Sequence, residues 1–181
     1  MVAAPSRRVA FVRGINVGGS NLLRMEDLRK LGGKLGFQGA VTVGASGNLL
    51  YHSGVTSNVD EERLTQALVD RMGKGVVMVR DAAEMEALTK VDRFENADKD
   101  VPDKWRFIAF LAESNRKTLP PMPPEGPIKI LGRTSREVFY TMSEPTSAAI
   151  NMARVLERAL GTPVTVRNWN VVRDIAKRLS Q

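Results

Sequence analysis

The 181-residue sequence contains no cysteine and a single histidine, His52. The absence of cysteine excludes disulfide bonds, thiol nucleophiles and thiolate metal ligands, and one histidine is too few for most metal clusters or proton relays. A serine nucleophile would have only His52 as its base, and no paired-carboxylate signature takes its place. We therefore predict no bound metal and no cofactor, and whether any reaction is catalysed stays open.

Long hydrophobic runs are also missing, although hydrophobic residues make up 43% of the chain. No apolar stretch approaches the roughly 18 residues that a membrane span needs. The basic residues Arg7 and Arg8 lead only into Val9–Val12, which is too short for the core of a signal peptide. The composition is sufficient to bury a core in one compact domain or two small subdomains. We expect a soluble, cytoplasmic protein with no membrane partner.

Acidic residues are few at the two ends of the chain, and the net charge of +7 is concentrated there. Residues 1–36 contain seven basic and two acidic residues, and residues 150–181 contain six basic and two acidic residues. The segment between them has a net charge of −2. This distribution favours an anionic partner, either a phosphorylated small molecule or a nucleic acid. The alternative is a solvated basic surface that only promotes solubility.

Residue periodicity predicts a ferredoxin-like first half. In chain order, the predicted strands and helices are Arg8–Arg13, Arg24–Leu35, Val41–Val43, Asn48–His52, a helix from Asn58 or Asp60 to Gly73, and Val76–Val79. The order strand, helix, strand, strand, helix, strand is the split βαβ arrangement. A further helix begins at Asp81, whose spacing to Glu84 is that of a capping box.

The second half repeats this order with one departure. Its predicted elements are Trp105–Leu111, Ile128–Leu131, Val138–Met142, Thr146–Leu160 and Val164–Arg167. Five prolines in residues 120–127 prevent the helix expected before Ile128, so an extended surface loop is predicted there. The fold class is α+β, with two ferredoxin-like halves, mostly antiparallel sheets and an added C-terminal helix. The predicted halves are residues 1–80 and 105–181, joined by a helix and charged linker at 81–104, and the repeat is architectural only.

Two polar motifs lie where a predicted strand is followed by a helix. Residues 13–19 are Arg-Gly-Ile-Asn-Val-Gly-Gly, and residues 167–170 are Arg-Asn-Trp-Asn. Free backbone N–H groups collect at such junctions and favour anion binding. Because the first and third strands of a split βαβ unit are antiparallel neighbours, Arg13 should lie beside residues 46–48. The candidate ligand-binding residues are Arg13, Asn16, Gly18, Gly19, Ser46, Asn48, Arg167, Asn168 and Asn170.

The motifs resemble those of the family called domain of unknown function 1697. The resemblance rests on residues 13–19, on Ser46-Gly47-Asn48, and on Gly161-Thr162-Pro163 running into residues 167–170. It spans nearly the whole chain and implies a pair of ferredoxin-like halves, but no activity. The chain departs from the family at Glu144–Ala148, where relatives often carry a Gly/Ser stretch with Arg or Lys, and at Val171, where threonine is usual.

Structural roles compete with ligand binding at each motif. Gly18 and Gly19 permit a tight turn, and Ser46-Gly47-Asn48 suits a hairpin. Asn168 and Asn170 suit helix capping, with Trp169 packed on the core. Under this interpretation the polar motifs are purely structural and the protein acts as an interaction module.

Two further hypotheses come from analogy with ferredoxin-like proteins. An arginine after the first strand, with an asparagine nearby, is loosely similar to acylphosphatase. The first strand is similar to that of an RNA-recognition motif, but Asn48–His52 lacks the basic-glycine-aromatic pattern that stacks bases. Nonspecific nucleic-acid binding through the basic termini is the form of this hypothesis that stays open.

Overall fold

The computed structural model describes residues 5–16, 22–95, 101–123, 125–143 and 147–181. Their elements, in chain order, are β1 (Ser6–Val12), α1 (Met25–Lys34), β2 (Gln38–Val43), β3 (Asn48–Ser53), α2 (Ser57–Met72), β4 (Val77–Asp81), α3 (Ala82–Lys90), a 3-10 turn (Asp103–Trp105), β5 (Arg106–Leu111), β6 (Ile128–Arg133), β7 (Glu137–Met142), α4 (Ser147–Leu160), β8 (Val164–Asn168) and α5 (Trp169–Leu179). The chain divides into two compact units, Met1–Leu88 with Ile175–Gln181, and Thr89–Asp174. Helix α5 therefore begins in the second unit and ends in the first.

Each unit contains one four-stranded sheet. The strand orders are β2-β3-β1-β4 and β6-β7-β5-β8, and every pairing is antiparallel. The first strand of each unit is thus a central strand, flanked by the third and fourth strands. The predicted α+β fold of two ferredoxin-like halves with an added C-terminal helix is confirmed.

The core of the first unit lies between one face of its sheet and helices α1 and α2. Alternate residues of the strands face the helices, and the fully buried members include Ala10, Leu49, Val79, Leu28 and Leu64. Helix α2 begins after Thr56, whose hydroxyl accepts a hydrogen bond from the N–H of Val59. It ends at Gly73, which has a φ of 74°, a conformation that glycine adopts without strain.

In the second unit a loop takes the place of α1. Residues 112–123 and 125–127 contain no helix, as the five prolines predict. Leu119 and Met122 from this loop pack against the core cluster that contains Val138 and Leu156. Asn115 fixes the start of the loop, because its Nδ2 donates to the carbonyl of Leu160 at 2.9 Å. The loop therefore covers apolar surface without helical structure.

The strand registers also show a residue-level repeat, which corrects the prediction of a purely architectural one. Val12 pairs with Val77 as Leu111 pairs with Val164. This aligns Val77–Asp81 (VMVRD) with Val164–Asn168 (VTVRN). It also aligns Arg7–Val12 (RRVAFV) with Arg106–Leu111 (RFIAFL). The similar segments are short and are separated by connections of different length, which hides the repeat in the sequence.

Candidate functional site

The loop after β1 starts from a backbone that is fixed on both sides. The N–H of Val12 donates to the carbonyl of Gly47 at 2.8 Å, and the N–H of Arg13 donates to that of Val76 at 2.9 Å. Gly47 has a φ of 74°, and a Cβ atom there would lie 2.5 Å from Cδ1 of Ile15. The turn therefore requires glycine for its conformation and for its packing.

Asn16 connects three backbone segments at this end of the first sheet. Its φ of 56° lies in the left-handed region, which asparagine tolerates better than most residues. Its Oδ1 accepts from the N–H of Leu23 at 2.9 Å, and its Nδ2 donates to the carbonyls of Leu23 at 2.9 Å and Ala45 at 3.0 Å. Asn16 thus clamps the base of the loop against the β2–β3 turn, and we call it the clamp residue.

The other predicted residues of the first unit differ in accessibility. Ser46 is exposed and Arg13 is half-buried, so solvent reaches both side chains. Asn48 is fully buried, and its Nδ2 donates to the carbonyl of Val43 at 2.8 Å. The buried side chain of Asn48 therefore stabilises the β2–β3 turn by a hydrogen bond across it. Gly18 and Gly19 lie outside the described residues.

In the second polar motif, Asn168 and Asn170 lie at the start of α5. Oδ1 of Asn168 accepts from the N–H of Asn170 at 2.9 Å, and its Nδ2 donates to the carbonyl of Lys104 at 2.9 Å. Asn170 is exposed, and its Oδ1 accepts from Nη2 of Arg173 at 2.5 Å. Asn168 therefore has the capping role that the sequence offered as its alternative.

Arg167 and Trp169, the remaining members of that motif, are buried in the second unit. Nη1 of Arg167 donates to Oγ1 of Thr165 at 2.8 Å, and burial lowers the pKa of its guanidinium to about 10. The ring of Trp169 lies 5.1 Å from that of Phe94 and 6.3 Å from that of Phe139, measured between centroids. Trp169 therefore anchors the start of α5 in the aromatic core, as its packing role predicts.

The same end of the second sheet has the same backbone hydrogen bonds with different side chains. The N–H of Leu111 donates to the carbonyl of Arg136 at 2.8 Å, and the N–H of Ala112 donates to that of Pro163 at 3.0 Å. Counting from the paired strands, Ala112 corresponds to Arg13 and Asn115 to Asn16. The N–H of Asn115 donates to the carbonyl of Ser135, in the β6–β7 turn, at 2.7 Å. The second unit therefore ties its loop to its turn without an arginine at this position.

A buried ionic network lies at the opposite end of the first sheet, and sequence reasoning missed it. Nη1 of Arg8 lies 2.5 Å from Oδ2 of Asp60, and Oγ of Ser53 donates to Oδ1 of Asp60 at 2.9 Å. Burial, followed by the negative charge of Asp60, raises the pKa of the Tyr51 hydroxyl. One signal could have found the network: Arg8 occupies the strand position two residues before Ala10, on the face that points into the core.

Two absences hold for the part of the chain that the structure describes. No group of three or more histidine, aspartate or glutamate residues there is arranged to hold a metal ion. No helix among those residues combines the length and the apolar composition needed to cross a membrane.

Fold and site together define an α+β protein of two similar ferredoxin-like halves, with a loop held by an asparagine clamp at one end of its first sheet. The chain belongs to the family described as protein of unknown function (DUF1697), whose model matches residues 6–124. It is similar in structure to conserved bacterial protein SP0830 from Streptococcus pneumoniae, with a TM-score of 0.67 and 19% sequence identity over 97% of this chain and 99% of that one. At this identity the likeness shows the fold alone. No curated protein matches the sequence significantly.

Proposed function

We propose that the protein binds a small anionic or phosphorylated ligand at the end of its first sheet, with Arg13 as the charged ligand residue. The comparison between the halves carries this proposal. Ala112 makes the same backbone hydrogen bond as Arg13, at 3.0 Å against 2.9 Å. The backbone arrangement therefore does not need an arginine side chain here, and we assign its guanidinium to ligand binding.

The chemistry of the neighbouring groups supports an anionic ligand. A guanidinium offers N–H donors in a planar fork that matches phosphate oxygens. Ser46 adds an exposed hydroxyl on the adjacent turn. The clamp residue Asn16 and the buried Asn48 hold the loop and the turn, so that less order has to be gained on binding. Under this proposal the two asparagines are positioning residues, while participation of Gly18, Gly19 and the motif Arg167–Asn170 stays a prediction.

Titration calorimetry with inorganic pyrophosphate tests the proposal. We expect Arg13→Ala to weaken binding by about tenfold or more, because a charge-assisted hydrogen bond contributes about 1.5–3 kcal/mol. The control Arg29→Ala removes the same charge from an exposed position on α1 and should bind like wild type. Equal affinity of wild type and Arg13→Ala would contradict the proposal.

A parallel titration with a short RNA separates this site from nonspecific attraction. Electrostatic binding to a nucleic acid weakens steeply as salt is raised and depends on total charge. If RNA binds, and Arg13→Ala and Arg29→Ala weaken it equally, the basic surface alone is responsible. Pyrophosphate binding that only Arg13→Ala reduces would support the specific site.

A further inference from the structure

We infer that Arg24 supplies a second positive charge to the anion site, an inference that rests on the function proposed for Arg13. Arg24 lies outside both polar motifs, but the clamp residue of the first motif binds the backbone of the residue that precedes it. The side chain of Asn16 binds both the N–H and the carbonyl of Leu23, each at 2.9 Å. That carbonyl belongs to the peptide unit leading into Arg24, so the backbone of Arg24 begins beside Asn16.

The same amide nitrogen brings Arg24 and Ser46 together. Nδ2 of Asn16 donates to the Leu23 carbonyl at 2.9 Å and to the Ala45 carbonyl at 3.0 Å. The first carbonyl precedes Arg24 and the second precedes Ser46. Arg13 lies three residues before Asn16, so the backbone segments that carry Arg13, Arg24 and Ser46 all lie close in sequence to a group that this amide contacts or belongs to.

Arg24 is also poorly suited to the local role that it occupies. It is the N-cap residue of α1, with φ −64° and ψ 138°, and its side chain makes no capping hydrogen bond. Serine, threonine, aspartate and asparagine are preferred there, whereas a cation faces the positive end of the helix dipole. Helix α2 has a preferred cap, since the hydroxyl of Thr56 accepts from the N–H of Val59. Residues that break a local rule in this way are expected at functional sites.

The acidic residue nearest to Arg24 along the helix is engaged elsewhere. Oε1 of Glu26 lies 2.7 Å from Nζ of Lys30. Lys30 is the largest cause of the lowered pKa of Glu26, and Arg24 is the smallest.

Two guanidinium groups at one site match a ligand with two negative charges, which favours a phosphate monoester or a diphosphate over a carboxylate.

The variant Arg24→Ser separates binding from stability. Serine is the better N-cap, so we expect Tm to rise by about 2 °C. Pyrophosphate affinity should fall by about tenfold, the loss of one charge-assisted contact. Arg24→Lys keeps the charge and should recover part of that affinity, while the control Arg29→Ala should bind like wild type. Loss of affinity in Arg24→Ser that Arg24→Lys partly restores would support the inference, whatever the change in Tm.

The remaining outcomes separate this inference from the proposed function. If Arg13→Ala loses affinity while Arg24→Ser binds pyrophosphate like wild type, Arg24 lies outside the site and the inference alone is wrong. If wild type binds neither pyrophosphate nor inorganic phosphate, the proposed function and the inference are both wrong.

Discussion

At the end of β1 the chain carries Arg13 and Gly14, and at the matching end of β5 it carries Ala112 and Glu113. Both ends nevertheless make the same pair of backbone hydrogen bonds, to the turn before the third strand and to the residue before the fourth. Strand pairing and an asparagine in the following loop are therefore sufficient for this backbone arrangement. The charge at the end of the first sheet is an addition to the fold and not a requirement of it.

The opposite end of the sheets shows a second difference between the halves. The register aligns Arg8 with Phe107 and Ser53 with Met142. The first unit buries an ion pair between Arg8 and Asp60 there, whereas the second unit has apolar side chains at the aligned strand positions. This part of the fold can contain either a buried ion pair or apolar side chains, because the two can contribute similar free energies of folding.

Removing one partner of that ion pair should have the largest effect on stability. Asp60→Ala leaves the guanidinium of Arg8 buried without its carboxylate, and we expect a loss of about 3–5 kcal/mol in the free energy of unfolding. The double variant Arg8→Phe with Asp60→Leu replaces the ion pair with apolar side chains, as at the aligned strand positions of the second unit. It should recover most of the lost free energy of unfolding. Urea unfolding measures both. If the free energy of unfolding of Asp60→Ala lies within about 1 kcal/mol of that of wild type, the ion pair contributes little to stability.

The turn at Gly47 should give an intermediate effect. Gly47→Ala adds a Cβ atom 2.5 Å from Ile15 at a φ of 74°, whereas Gly44→Ala, at a φ of 64°, meets nothing within 4 Å. We expect a loss of about 2–3 kcal/mol at Gly47 and about 1 kcal/mol at Gly44, because only the first combines backbone strain with a clash. Equal losses in thermal unfolding would mean that Ile15 moves aside. The second unit carries Arg136 at the position of Gly47, so its turn should lack this sensitivity.

The helix caps that follow the fourth strands should give the smallest effects. The carboxylate of Asp81 accepts from the N–H of Glu84 at 2.8 Å, and Asn168 accepts from that of Asn170 at 2.9 Å. Asp81→Ala and Asn168→Ala should each cost about 1 kcal/mol, which thermal unfolding can measure. If Asn168 acts only as a cap, its variant keeps the pyrophosphate affinity of wild type. Loss of affinity without loss of stability would instead assign Asn168 to a ligand site.

Features that depend on short stretches of sequence were predictable. Apolar periodicity predicts the order of strands and helices, and the five prolines predict the missing helix of the second half. The predicted capping box at Asp81 and Glu84 has both of its hydrogen bonds. The N–H of Asp81 donates to Oε2 of Glu84 at 2.9 Å, and the N–H of Glu84 donates to Oδ1 of Asp81 at 2.8 Å. Each of these depends on residues only a few positions apart.

Features that depend on tertiary neighbours were not predictable. Arg8 and Asp60 are 52 residues apart, and each residue type is usually exposed. The strand alternation around Arg8 places it on the core-facing side, but nothing local identifies Asp60 as its partner. Asn16 and Asn48 have the chemistry of ligand residues, but only the fold shows that their amides bind backbone carbonyls. Whether an asparagine holds a loop or a ligand depends on the acceptors that surround it.

Pyrophosphate titration of Arg13→Ala, combined with its thermal unfolding, tests the central claim most directly. The variant gives the first half the residue that the second half already has at this position. We predict an unchanged Tm and an affinity reduced by about tenfold or more, because the backbone arrangement does not need the arginine and the ligand does. Unchanged affinity would contradict the account. If Tm fell at the same time, Arg13 would be a structural residue.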